Sequence, residues 1–327
     1  MSHLVETMAY VGQTPWHGLG SQLPENQPLD VWAKAAGMDW TIESSPVHYL
    51  TGGNTPMGDL LSYPEQQVLY RSDTRKPLSV VSRRYQVVQP EEILAFYRDL
   101  TEVAGFELDT AGVLKGGRKM WALARTGQTG VLAGADRING YLLLATACDG
   151  TMATTAQFTS VRVVCNNTLS VSLREQGVRK VTVPHSTRFD ADRVKQQLGI
   201  SVAGWSQFMD QLKELSERKV TDKEAQRFLE RVLVPEGLEQ WQRKYGKGKI
   251  AEPRALQQIR DLYQGQGRGA QLTSSRGTAF GLLNAVTEFV DHKRRARSND
   301  YRLDSAWFGP GAQLKQNALD EAIALVA

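Results

Sequence analysis

The segment 115–121 has the residue types that best fit contact with a nucleic acid. It reads Lys-Gly-Gly-Arg-Lys-Met-Trp, and in a strand that leaves the glycine pair, Lys119, Trp121 and Arg125 point to one face. Cations neutralise phosphates and an aromatic ring stacks on a base, a combination that binds single strands. We therefore expect base stacking at Trp121, although a tryptophan between aliphatic residues more often belongs to a hydrophobic core. The expected phosphate ligands of this hairpin are Lys115, Arg118, Lys119 and Arg125.

Two further basic positions each have two interpretations. Arg162, which has apolar neighbours on its strand face, is either a phosphate ligand or a half-buried partner in an ion pair. Arg294 and Arg295 belong to a basic run at the end of a predicted helix. Cations there either complement the helix dipole in a solvated terminus or form a second phosphate-binding patch.

Signatures of the common catalytic and metal sites are missing from the sequence. The run Gly-Lys-Gly-Lys at 246–249 lacks the preceding strand and the Ser or Thr of a phosphate-binding loop. The five histidines are scattered, without a second His or Cys at a metal-ligand spacing. We expect no catalytic residue, no metal and no cofactor, and therefore no conventional enzyme. A nuclease stays an alternative, because scattered carboxylates leave no signature.

The two cysteines, Cys148 and Cys165, are expected in opposed strands as small apolar core residues. The alternative is a nucleophilic Cys165 with His185 or His17 as its base, since such partners meet in space rather than along the chain. The Asn-Asn-Thr sequence at 166–168 is interpreted as a helix N-cap, with a polar site as the alternative.

Charge is unevenly distributed along the chain. The net charge is only +4, but residues 1–60 contain one basic residue against six acids, while residues 113–183 contain nine Lys or Arg against three acids. A locally basic middle is expected where one surface meets a polyanion, and it is also common in a solvated face without a ligand.

Composition places the chain among globular proteins. Apolar residues make up 41% and charged residues 23%, which fits neither disorder nor a membrane protein. No apolar run approaches the roughly 20 residues of a membrane span, and the first residues lack a signal-peptide pattern. We expect a cytoplasmic protein with reduced cysteines and no membrane contact.

The elements that position the basic hairpin form an antiparallel meander over residues 105–165. Glycine pairs and Asp-Gly favour tight turns between alternating β-prone runs. A helix that starts at Pro90 has one apolar stripe and should pack on this sheet. Strands are predicted at 106–114, 118–125, 138–148 and 152–165, with an edge strand at 178–183.

After Pro184 the pattern changes to helices, predicted at 194–215, from 221 to about 232, and at 253–263, 275–297 and 313–326. The first residues, through Gly20, are interpreted as an irregular arm. The predicted fold class is α+β, with a sheet domain over residues 1–188 and an all-helical domain over residues 189–327.

Several strings resemble the phage/plasmid-like proteins of the domain-of-unknown-function 932 family. The resemblance spans nearly the whole chain. It implies an origin in a mobile element and transfers no catalytic residue. The strings are Glu-Thr-Met-Ala-Tyr at 6–10, Thr-Pro-Trp-His-Gly-Leu-Gly at 14–20, Tyr-Gln-Val-Val-Gln-Pro at 85–90, Cys-Asp-Gly at 148–150, Val-Arg-Val-Val-Cys-Asn-Asn-Thr-Leu at 161–169 and Leu-Asn-Ala-Val-Thr at 283–287.

The order of elements also resembles, in layout only, the core of ring-forming single-strand annealing proteins. The leading hypothesis is therefore a homo-oligomeric recombination or replication accessory that binds single-stranded DNA and promotes annealing. The alternative from another class is a protein-interaction module that contacts a host protein of a defence or restriction system.

Overall fold

The chain folds into an α+β structure, as the sequence predicts. The computed structural model describes residues 5–12, 15, 19–52, 58–164, 167–170, 180–198, 202–233 and 253–327. Strands occupy the N-terminal part, and helices follow from residue 191. Within the described residues, none of the helices combines the length and the apolar character of a membrane span.

The main sheet has eight strands in the described part of the chain, and the predicted meander forms its centre. Its strands are β1 Val5–Val11, β2 Ser21–Leu23, β6 Glu107–Leu114, β7 Lys119–Leu132, β8 Asp136–Ala147, β9 Thr154–Arg162, β10 Asn167–Ser170 and β11 Val181–Val183. The order is β10-β9-β8-β7-β6-β1-β2, with β11 also paired to β9. Among the described strands, only β1 and β2 pair in parallel. The turn from β6 to β7 uses positive φ at Gly116 and Gly117, which the glycine pair predicts.

A second sheet is formed by β3 Ile42–Thr51, β4 Asp59–Arg71 and β5 Pro77–Ser82, in the order β3-β4-β5. Its base is anchored in the core, where Leu69, Leu78 and Val81 are buried. The distal half of the β3–β4 hairpin pairs only with itself, because β5 reaches no further than Gln66 of β4.

The helix α2 (Pro90–Ala104) covers one face of the main sheet, as predicted. Ile93, Leu94 and Phe96 are buried in that interface. The hydroxyl of Tyr97 lies 2.8 Å from the Ala122 carbonyl and 3.0 Å from the Leu142 carbonyl, which fixes the helix over the central strands.

The helices from Val202 onward cover the opposite face, whereas Val194 of the preceding helix packs in the same cluster as α2. Besides α2, the helices of the described residues are α1 Leu29–Ala35, α3 Ala191–Leu198, α4 Val202–Glu217, α5 Asp222–Leu233, α6 Pro253–Asp261, α7 Ala279–Glu288, α8 Asn299–Phe308 and α9 Pro310–Ala324. Leu132 and Ile138 of the sheet share one hydrophobic cluster with Phe208 of α4. The change from strands to helices falls between β11 and α3, close to residues 188–189, where the sequence predicts the division. The sheet and the helices share the hydrophobic cluster of Leu132, Ile138 and Phe208.

Three local predictions require correction. Residues Val5–Val11, predicted as part of an irregular arm, form β1 because they pair with the free edge of β6. Asn167–Ser170 is a strand paired with β9, so the predicted helix N-cap is wrong. The helix α8 lies where no helix was predicted, and the predicted helix at 275–297 begins at Ala279 and ends as a π-helical turn, Phe289–Lys293.

Candidate nucleic-acid interface

The lysines of the basic hairpin are bound by an acid from the helical part. Lys115 Nζ lies 3.0 Å from one carboxylate oxygen of Asp304, and Lys119 Nζ lies 2.8 Å from the other. Lys119 is buried, whereas Lys115 is partly exposed. Arg118, which extends from the same turn, is exposed. Asp304 belongs to α8, so this helix is held directly against the hairpin.

Trp121 lies in the core, which corrects the predicted stacking role. Its side chain is 1% exposed, and its ring meets that of Trp307 edge to face, with centroids 4.8 Å apart. Leu303 joins the same cluster. Because α8 covers this face of β7, neither Trp121 nor Lys119 can form an open track for bases along the strand.

Arg162 is not placed as a phosphate ligand, which was one of its two predicted interpretations. Its guanidinium is buried and donates to both carboxylate oxygens of Asp136, from Nε at 2.8 and 2.9 Å and from Nη2 at 2.5 Å. It also donates to Ser275 Oγ at 2.8 Å and lies over the ring of Phe280. Arg162 is thus the ion-pair partner of the alternative interpretation, and it joins β9 to the helical part.

Arg125 pairs with Asp109, with 2.6 Å between Nε and Oδ1, and its side chain stays 40% exposed. Burial raises the pKa of Asp109, while the neighbouring Arg125 opposes that shift. Arg125 lines a cavity of about 370 Å³ together with Arg98, Glu25 and Glu107. Acids balance the cations in this cavity, so it lacks the basic character that phosphate binding requires.

The second basic patch lies at the start of α8. Arg302 of this helix donates from Nε to the Arg294 carbonyl at 3.3 Å. Arg294 is half-buried, with a buried Nη1 that has no acceptor among the described residues, and Arg295 is exposed. Arg297 lies over the ring of Tyr301, with its guanidinium carbon 5.6 Å from the centroid.

The helix α8 brings the two predicted basic patches onto one surface. Arg302 contacts the 294–297 segment, and Asp304 contacts the hairpin. Two residues rotate by about 200° around an α-helix, so these side chains leave opposite sides of α8. The patches therefore flank a single helix about 10 Å wide, although about 180 residues separate them in the sequence.

Two half-buried aromatic residues, each beside a cation, lie on α8 itself. Tyr301 and Phe308 are two helical turns apart, which places them on the same side with a spacing of about 10 Å. Arg297 covers the Tyr301 ring, and Lys119 Nζ lies 5.5 Å from the centroid of Phe308. We call this region the α8 surface; it consists of Lys115, Arg118, Arg294, Arg295, Arg297, Tyr301 and Phe308.

Sequence reasoning missed Tyr301 and Phe308 as site residues, whereas Arg297 belongs to the basic run for which a phosphate-binding patch was one of two interpretations. The available signal was the aromatic spacing at 301 and 308 directly after a basic run. It becomes informative only once residues 299–308 are known to be helical.

Of the residues named for cysteine chemistry, the structure describes Cys148 and His185. Cys148 is buried, and burial raises the pKa of its thiol to about 12. His185 stacks on Tyr85 and turns its two ring nitrogens toward the carbonyls of Gln86 and Met152, so neither nitrogen is directed at a nucleophile. Cys165 and His17 lie outside the described residues. In the part of the chain that the structure describes, no group of three or more His, Cys, Asp or Glu side chains could hold a metal ion.

Comparison with known proteins gives one match. A family model described as "Domain of unknown function (DUF932)" matches residues 77–307, a range that includes the meander, α7 and most of α8. No curated protein and no solved structure matches the chain.

Proposed function

The chain belongs to the DUF932 family, and from that premise we propose that it binds single-stranded nucleic acid along the α8 surface. DNA is the favoured nucleic acid. The biological role we propose is that of a recombination or replication accessory of a mobile element, which holds single strands so that complementary strands can anneal.

One observation supports this proposal above the others: α8 carries two aromatic rings, each beside a cation, between two basic segments. Rings that are partly exposed can stack on bases of any sequence, while nearby cations neutralise phosphates. The spacing of about 10 Å between Tyr301 and Phe308 leaves room for bases at both rings.

Electrostatics at the α8 surface favour a polyanion. Asp304 neutralises part of the charge of Lys115 and Lys119. The basic charges of Arg118, Arg295 and Arg297 remain around the helix, and Arg118 and Arg295 are exposed. Annealing requires aligned backbones and accessible bases rather than bond breaking, so a surface of cations and rings is sufficient for it.

The test is the binding of a fluorescently labelled single strand, followed by anisotropy over a salt series with and without magnesium. Each phosphate contact contributes about −0.7 to the slope of log affinity against log salt. Arg295→Ala combined with Arg297→Ala should flatten the slope. The matched control is Arg193→Ala combined with Arg227→Ala, which removes exposed arginines of α3 and α5. This control should leave the salt slope unchanged.

The other hypotheses predict different outcomes in the same assay. A nuclease would shorten the labelled strand when magnesium is present. A module that contacts only a host protein would show no salt-dependent binding to either single- or double-stranded DNA.

A further inference from the structure

The large hydrophobic side chains that are exposed fall into separate groups in the described part of the chain. Five lie on the distal half of the β3–β4 hairpin, three lie at one end of the main sheet, and Val80 lies on β5. The five on the hairpin, which we call the apolar arm, are Tyr49, Leu50, Leu60, Leu61 and Tyr63. The three on the main sheet are Val131, Val163 and Val164.

The apolar arm is a two-stranded ribbon with hydrophobic residues on both faces. Tyr49 pairs with Leu61 on one face, and Leu50 pairs with Leu60 on the other. Leu50 is 70% and Leu60 is 65% exposed. A two-stranded hairpin is marginally stable by itself in water, and clustered exposed apolar residues mark interaction sites.

The arm is also acidic. No Lys or Arg occurs between Lys34 and Arg71, whereas Asp59 and Glu65 lie on β4 beside the apolar residues. A partner surface should therefore combine apolar and basic residues.

The three valines lie at one end of the main sheet near two arginines, which supply the basic charge. Val131 is opposite Arg137 in the β7–β8 register, and the Val163 amide donates to the Arg137 carbonyl at 2.9 Å. Gly269 packs so closely on Val164 that a Cβ there would lie 2.7 Å from the valine side chain. We call this region the valine patch; it consists of Val131, Arg137, Val163, Val164 and Arg268. Both arginines are exposed.

We propose that the apolar arm of one copy of the chain binds the valine patch of a second copy. Pairing of two arms would bring acids together, and pairing of two patches would bring arginines together, so charge favours contact between arm and patch. The two surfaces differ, which makes the contact head-to-tail. Such a contact continues from copy to copy until it closes as a ring or extends as a filament. This inference does not depend on nucleic-acid binding.

Sedimentation velocity over a range of concentrations tests the proposal. The parent should form oligomers larger than a dimer. The arm variant, Leu50→Asp with Leu60→Asp, and the patch variant, Val163→Asp with Val164→Asp, should each be monomeric. An equal mixture should form a one-to-one dimer, because the mixture retains one intact arm and one intact patch.

Each alternative arrangement gives a different result. An arm-to-arm contact leaves the patch variant oligomeric and a patch-to-patch contact leaves the arm variant oligomeric; either result overturns the proposal. A monomeric parent, or a mixture that stays monomeric, also overturns it. Val80→Asp is the matched control for a new surface acid and should assemble like the parent. If a paired variant fails to fold, Arg137→Glu is the milder substitution; it keeps the valines and should weaken association roughly tenfold or more.

Discussion

Lys119 in β7 and Asp304 in α8 form an ion pair with 2.8 Å between nitrogen and oxygen, although 185 residues separate them in the sequence. Lys115 shares the same carboxylate. This contact turns two predicted phosphate ligands into anchors for a helix. The helix held by this contact carries Tyr301 and Phe308 near Arg118, Arg295 and Arg297.

Replacement of Asp304 by Asn should lower the free energy of unfolding. Lys119 is 8% exposed at its side chain and would lose its counter-charge while staying out of water. We expect a loss of about 1–3 kcal/mol, measured by urea unfolding. Asp210→Asn, at an exposed position of α4, is the control and should change stability by less than about 0.5 kcal/mol. Equal effects of the two variants would show that the ion pairs of Asp304 contribute nothing to the free energy of unfolding.

Arg162→Met should be more damaging, because it leaves Asp136 charged and buried, with Ser274 still donating at 2.6 Å. Loss of one partner from a buried pair costs about 3–5 kcal/mol. The double variant Arg162→Met with Asp136→Leu should recover part of this loss, since no unpaired charge remains. Urea unfolding of the three proteins measures the difference. A double variant that is less stable than the single one contradicts this account of the pair.

The thiol of Cys148 should be unreactive in the folded protein. Burial raises its pKa from 9.0 to about 12, which lowers the thiolate fraction at about pH 8 by roughly a thousandfold. A Cys165→Ser variant isolates this thiol for labelling with an aromatic disulfide reagent. Labelling should be slow in buffer and fast in urea. Equally fast labelling in buffer would contradict the burial of this thiol.

Much of the fold could be predicted from the sequence, because its signals are local. Alternation of apolar and polar residues identified the strands of the meander, and Gly116-Gly117 and Asp149-Gly150 identified its turns. The apolar stripe after Pro90 predicted α2. The helix α8 escaped prediction because Asn-Asp-Tyr-Arg-Leu-Asp-Ser-Ala-Trp-Phe has few periodic apolar residues, and its stability comes from packing against β7 rather than from its own pattern.

The packing of α8 against β7 also explains why the nucleic-acid site predicted at residues 115–125 was only partly correct. On β7 alone, Trp121 and Lys119 share a face with Arg125, which is typical of a nucleic-acid surface. The burial of that face depends on Leu303 and Trp307, and no property of residues 115–125 indicates it. Arg162 is a similar case, since its partner Asp136 is on another strand and Ser275 lies in the helical part.

Tyr301, rather than Trp121, is the aromatic residue expected to stack on a base. Tyr301→Ala should weaken single-strand binding by about 1–3 kcal/mol without changing the salt slope, because the lost ring carries no charge. Tyr301→Phe keeps the stacking face and should bind like the parent. Trp121→Phe should lower stability through the core it shares with Trp307 and leave affinity unchanged. Anisotropy titrations give the affinities, and circular dichroism shows that each variant is folded. If Tyr301→Ala binds as tightly as the parent while folded Trp121→Phe binds more weakly, the nucleic acid does not lie on α8.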